Sequence, residues 1–254
     1  MTSRSGSLIR RIAAPLCLLA LCAPCFAASD DAGAAFAEAG QIKRGVNVLG
    51  YDGVWNGEVD APFRMSNFKL IHDAGFDHVR LNLFGFRYMD ADGKLNEQVL
   101  ERLDRVIGIA ISQGLTVILD QHDNRLCQEH PEKCKAPLVA FWKQIAARYA
   151  GKYPYLFYEI LNEPGGEMSA AQWNEDFKAA LAEIRAKDPN RPVVVAALNV
   201  DDVHTVEKLD LPPQDRNIIV TVHYYQPYRF TFQGAAWSHK FAQVHDVKWG
   251  SPED

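Results

Sequence analysis

Cysteine is scarce, positive charge is in the minority, and no apolar run is long enough to cross a membrane. The 254 residues hold five cysteines, and Cys17, Cys22 and Cys25 fall in a leader-like start. Arg4, Arg10 and Arg11 make that start basic, a short apolar stretch runs from Ile12 to Phe26, and Cys25-Phe26-Ala27 offers small residues for a signal peptidase. The stretch falls short of the roughly 20 residues a spanning helix needs, so it predicts a secretory signal peptide cleaved after Ala27. The expected layout is a signal segment over 1–27, an Ala-rich leader over 28–43 and one domain over 44–254. A secreted or periplasmic protein, free of the membrane after cleavage, is expected.

Without residues 1–27, 24 basic residues face 32 acidic ones, a net charge of −8. An acidic chain of this kind is a poor partner for nucleic acid or an anionic membrane. Cys127 and Cys134 are the two remaining cysteines, with six residues between them in a polar segment. In an oxidising compartment such a pair predicts a disulfide. His122 and His130 lie nearby, but the spacing is no zinc motif, and no metal site is expected.

Glycine-rich phosphate loops are missing after every strand-like run, which lowers the odds of a nucleotide-binding sheet. What is present is an alternation of strands and helices. The strands expected are Gly45–Leu49, His78–Leu83, Thr116–Gln121, Leu156–Leu161, Val193–Leu198 and Ile218–His223, several of them apolar on both faces as buried parallel strands are. Amphipathic helices are expected over Phe63–Ala74, around Val99 to Ala110, over about Leu138–Tyr149, and along the stripe Trp173, Phe177, Leu181 and Ile184, with a short fifth over Asp202–Lys208. Ser169 with Gln172 forms a capping box at the start of the fourth. Repeated βα units imply a parallel sheet, closed as a barrel or open and doubly wound. Polar residues gather at the strand ends: Arg80 and Asn82, Asp120 and His122, Asn162 and Glu163, Asn199, then His223 and Tyr225. A barrel brings those ends to one face, where its active site lies. The barrel is the better reading.

Tyr158-Glu159-Ile160-Leu161-Asn162-Glu163-Pro164 carries the most chemistry. A carboxyl group beside an amide at the end of a buried strand suits proton transfer, because a low-polarity setting favours the protonated form of such a group. Asn162 could hold a sugar hydroxyl. Asn-Glu-Pro alone could equally be a plain strand end.

Its surroundings decide. Asn162-Glu163-Pro164 follows Val79-Arg80-Leu81-Asn82 and Leu119-Asp120-Gln121-His122 and precedes His223-Tyr224-Tyr225. In that order the chain resembles glycoside hydrolase family 5, the cellulase family of clan A, from about Arg44 to Trp249. The resemblance implies a (β/α)8 TIM barrel and a retaining β-glycanase acting on polysaccharide or oligosaccharide as a monomer, without metal or organic cofactor. It assigns Glu163 as acid/base and Asn162 as its substrate-binding neighbour, with Arg80 bracing the nucleophile and Tyr225 aiding it. His122 and His223 would position sugar hydroxyls or tune Glu163. Arg80 could also pair with Glu159. Trp55, Tyr224, Tyr228 and Trp237 could form a sugar platform, whereas Trp142 and Trp173 sit on helices and read as core. Asp123 stands where the family usually has a second histidine.

Retention needs two carboxylates about 5–5.5 Å apart. The family places its nucleophile at the end of a seventh strand, and no glutamate after Glu163 fits: Glu207 and Glu253 have no apolar strand before them. The expectation is therefore a barrel truncated after strand six, with the nucleophile absent from the chain. A non-catalytic carbohydrate-binding relative, a transglycosylase, and specificity for mannan or β-1,3-glucan stay open.

Overall fold

The computed structural model describes residues 39–40, 42–58 and 60–250. The expected signal segment and most of the leader lie outside the described residues.

Six strands set the frame: β1 (Gly45–Val48), β2 (His78–Leu83), β3 (Thr116–Gln121), β4 (Leu156–Glu159), β5 (Val193–Ala196) and β6 (Ile218–Thr221). They form one sheet in the order β1-β2-β3-β4-β5-β6, parallel throughout. Each strand lies beside its neighbour in sequence, the order of a (β/α)8 barrel. A doubly wound sheet would reverse direction at a switch point. β3, β4 and β5 are buried along their whole length, while β6 is half-buried.

The helices are α1 (Asn67–Asp73), α2 (Glu97–Ser112), α3 (Arg125–Glu129), α4 (Lys135–Tyr149), α5 (Ala170–Lys187) and α6 (Tyr228–Phe232). Asn96 caps α2 by accepting from the backbone N–H groups of Gln98 and Val99, and Leu103, Val106, Ile107 and Ala110 form its buried stripe. Ser169 and Gln172 close the capping box of α5.

Several elements are shorter than the apolar pattern predicts. The first helix loses residues 63–66, because Phe63 N–H donates to Asp52 Oδ2 at 3.1 Å and the chain turns there. β4, β5 and β6 stop two residues before their apolar runs do. The residues after β4 and β5 stay buried, whereas after β6 Val222 is exposed and His223 half-buried. The fifth helix is a 3-10 stretch over Val203–Lys208.

Three indoles hold the strand ends in place. Trp55 Nε1–H donates to Leu49 O just past β1, Trp142 to Ile160 O just past β4, and Trp173 to Ala196 O at the end of β5, each at 2.9 Å. A buried indole brings a large apolar surface and one donor. Here that donor satisfies a carbonyl where the ladder has ended. Trp142 and Trp173 are core, as expected. Trp55 is 1 % exposed and so cannot belong to a sugar platform, a correction to its expected place in the cleft.

Candidate active site

Strand register brings the polar ends together. Asn47 pairs with Arg80, Asn82 with Asp120, and Asp120 with Glu159. Side chains alternate between faces, so a slip of one residue would turn this set away.

Arg80 is the hub. Its Nε and Nη2 donate to the two oxygens of Glu159 at 2.7 Å each, its Nη2 to Asn162 Oδ1 at 2.9 Å, and its Nη1 to Asn47 Oδ1 at 3.2 Å. Asp120 Oδ2 lies 3.0 Å from Nη2. Burial works against the guanidinium charge, but Asp120 and Glu159 outweigh it and hold the arginine ionised. Burial and then the Asp120 charge push the Glu159 carboxyl up, with Arg80 pulling the other way. The ion pair with Glu159 is real, and the same cation orients Asn162. With Oδ1 engaged, the NH2 of Asn162 is the end left to meet a hydroxyl.

Glu163 lies four residues past β4 with φ 44°, a left-handed conformation that is uncommon for a residue other than glycine. Its Oε1 is 2.7 Å from His223 Nδ1, which spans 60 residues and joins the end of β4 to the end of β6. His223 is raised above its ordinary 6.5: burial would lower it, but the hydrogen bond with Glu163 and the charge of Asp201 overcome that. Tyr225 follows on the same segment, its ring 6.0 Å from the imidazole in edge contact. Its hydroxyl is raised by burial first and then by the charge of Glu163.

A cavity of about 700 Å³ opens over these groups, lined by Glu163, His223, Tyr224, Tyr225, Tyr228 and Trp237 among others. Trp237 is 74 % exposed and Tyr224 72 %, flat rings held in view of the cavity. Phe232 on α6 steadies Trp237 by an edge contact at 5.2 Å.

His122 lies apart from Glu163. Its Nδ1 is 2.6 Å from Asp120 Oδ2 and 3.0 Å from Asn82 Nδ2, so Asp120 fixes the ring and Nε2 is left for other partners. Asp123 lies 3.8 Å from Arg87 Nε as an ion pair.

Cys127 and Cys134 are bonded. The loop they close reaches the site through Gln128, whose Nε2–H donates to Glu163 O at 2.8 Å. Gln128 and Asp201, which lies behind His223, are two site residues that the sequence reading passes over. Asp201 stands in Asn199-Val200-Asp201-Asp202 after β5, a strand-end carboxylate and hence a readable signal. Gln128 sits 35 residues from Glu163 in a helix turn, and no sequence pattern marks it. Among the described residues, no group of three or more His, Cys, Asp or Glu side chains is arranged to hold a metal.

The pattern of the cellulase family, glycosyl hydrolase family 5, matches residues 39–251. Cellodextrinase A of Ruminococcus flavefaciens is 29 % identical over 221 residues, covering 78 % of this chain and 62 % of that protein. The chain thus spans under two thirds of that relative's length. Solved structures of Thermotoga maritima Cel5A are similar too: the complex with cellobiose at 35 % identity and the complex with mannotriose at 34 %. Both have a TM-score of 0.78 and cover 86 % of this chain and 72 % of the other. The chain belongs to the cellulase family, glycosyl hydrolase family 5.

Proposed function

We propose that this chain carries the acid/base half of a retaining β-glycanase site, directed at β-1,4-linked glucan in an exported protein. One observation carries the reading: the Glu163 carboxylate lies 2.7 Å from His223 at the mouth of a cavity walled by Tyr224, Tyr228 and Trp237. Flat rings suit the apolar face of a pyranose. In the first half of the reaction Glu163 gives its proton to the leaving glycosidic oxygen, and in the second it takes one from water. Asn162, oriented by Arg80, meets a hydroxyl of the sugar beside the bond that breaks.

Covalent retention also needs an attacking carboxylate about 5–5.5 Å from the first. Glu159 is bound at both oxygens by Arg80, and Asp201 is fully buried. Neither is free to attack an anomeric carbon, and Asp202, which also lines the cavity, accepts from His204 N–H through Oδ1 as a turn cap. On this reading the attack falls to a carboxylate other than these three. The Cel5A complexes with cellobiose and mannotriose keep mannan as a second reading of the substrate.

The test compares leaving groups in a protein that carries both carboxylates. Glu163→Gln should slow cleavage of unactivated oligosaccharides by about 100-fold or more, and slow release of an acidic nitrophenol far less. Equal losses on both would sink the acid/base role. The 254-residue polypeptide alone should leave an aryl β-cellobioside intact.

A further inference from the structure

Behind His223 lies a carboxylate that proton donation to sugar does not use. Asp201 is fully buried. Its Oδ2 is 3.2 Å from His223 Nε2, and neither of its oxygens has an aligned hydrogen-bond donor. The other nitrogen of the same ring meets Glu163. Carboxylate, imidazole and carboxylate thus form one line from the interior to the cavity. The main chain strengthens the link, since His223 N–H donates to Asp201 O at 3.0 Å.

The backbone that delivers Asp201 is unusual. Asn199, Val200 and Asp201 have φ of 55°, 65° and 59°, three successive non-glycine residues in the left-handed region. Each such residue costs about 1–2 kcal/mol. Strain of this kind survives where the surroundings impose it, and it gathers at functional sites.

The charged groups facing His223 are Glu163 and Glu159 from the end of β4, Arg80 from β2 and Asp201 from the turn after β5, with Asp120 of β3 held against Arg80. Two protonation patterns satisfy that set. Either the imidazolium donates from Nε2 to an ionised Asp201, or a protonated Asp201 donates to Nε2 of a neutral ring. Both leave the hydrogen on Nδ1, aimed at Glu163. Without Asp201 a neutral ring could instead carry its hydrogen on Nε2 and turn a lone pair toward Glu163.

We propose that Asp201 is a positioning residue: it fixes His223 in the form whose Nδ1–H faces Glu163 and keeps one shared proton in the line. Its importance for catalysis rests on Glu163 as the acid/base, but its effect on the imidazole does not. Proton-detected 15N spectra of the ring, followed against pH in the 254-residue chain, read that effect without turnover. A failure here is therefore distinct from a failure of the Glu163 assignment.

Two variants divide the role. Asp201→Asn keeps a side chain that can donate to Nε2, so the Nδ1–H form should persist while the His223 midpoint falls by about 1 unit with the lost charge. Asp201→Gly removes both the charge and the partner, so the midpoint should fall and the Nε2–H form should appear. Glycine accepts φ 59° freely, and the fold should hold. Unchanged midpoints in both variants, or an Nδ1–H form that persists in Asp201→Gly, would overturn the proposal.

Discussion

The side-chain amide of Gln128 donates to the backbone carbonyl of Glu163 at 2.8 Å, while the carbonyl of Gln128 accepts from Glu167 N–H at 2.9 Å. One residue therefore grips the segment after β4 at two points, on either side of its turn. Cys127, its neighbour, is bonded to Cys134, so the grip comes from a covalently closed loop. Gly166 completes the fit: with φ 63° it lies so close that an added Cβ would stand 2.6 Å from Gln128 O. The left-handed Glu163 is thus held through its main chain by Gln128 and through its carboxylate by His223.

Gln128→Ala should remove the side-chain half of that grip and leave the backbone half in place. The lost hydrogen bond costs about 1 kcal/mol of stability, read as a lower urea midpoint in this chain. In a protein with both carboxylates, displacement of Glu163 should lower kcat about tenfold on substrates with poor leaving groups. KM should change little, because Gln128 does not line the cavity. Unchanged kcat on those substrates would show that His223 and the longer 3.5 Å bond from Asn124 Nδ2 to Glu163 O suffice to fix the acid/base.

Much of this arrangement is legible in the sequence, and the limits have physical causes. β2 and β3 match their expected spans residue for residue, since their ladders run as far as their apolar patterns. Arg80, Asn162, Glu163, His223 and Tyr225 converge as the barrel order requires. Trp55 misleads because a tryptophan in a loop reads as a ligand, whereas its N–H is consumed by Leu49 O and its ring by the core. Asn199 and Asp201 mark a turn after β5, since both tolerate the left-handed region, but Val200 between them hides that all three residues adopt it. The carboxylate of Asp201 is readable at a strand end, but its pairing with His223 depends on the path of that turn. Gln128 depends on a contact between a short helix and the turn after β4, which no local pattern encodes.

A pH dependence follows from the buried line. Burial, first of all, and then the charges of Glu159 and Glu163 push Asp201 up to about 8 from its ordinary 3.8, against the pull of His223. His223 is also raised. A raised group binds its proton more tightly in the folded state than in the unfolded one, so its contribution is greatest at low pH and fades as pH rises through the folded value. For Asp201 that window runs from about 4 to about 8, and for His223 it begins near 6.5. Both act in the same direction. Between about pH 5.5 and 8.5 the native chain should therefore lose more stability than Asp201→Asn, as read by urea midpoints at each pH. Parallel curves for the two proteins would contradict the burial of a proton at Asp201.

Val200 offers the converse test, in which removing a side chain should help. It is β-branched, sits at φ 65° and is 46 % exposed, so it bears the left-handed penalty with little burial in return. Glycine there would relieve about 1–2 kcal/mol of strain and give back part of it through the greater freedom of the unfolded chain. The net expectation for Val200→Gly is a gain of roughly 0.5–1 kcal/mol, seen as a higher melting temperature. Gly165 approaches the Val200 backbone closely, where its own Cβ would meet Val200 N at 3.1 Å, so the turn stays confined without the valine side chain. If the turn serves to deliver Asp201, Val200→Gly should leave the His223 titration at its native midpoint while raising stability. A gain in stability accompanied by a fallen midpoint would mean that the strain at Val200 itself drives the carboxylate against the imidazole.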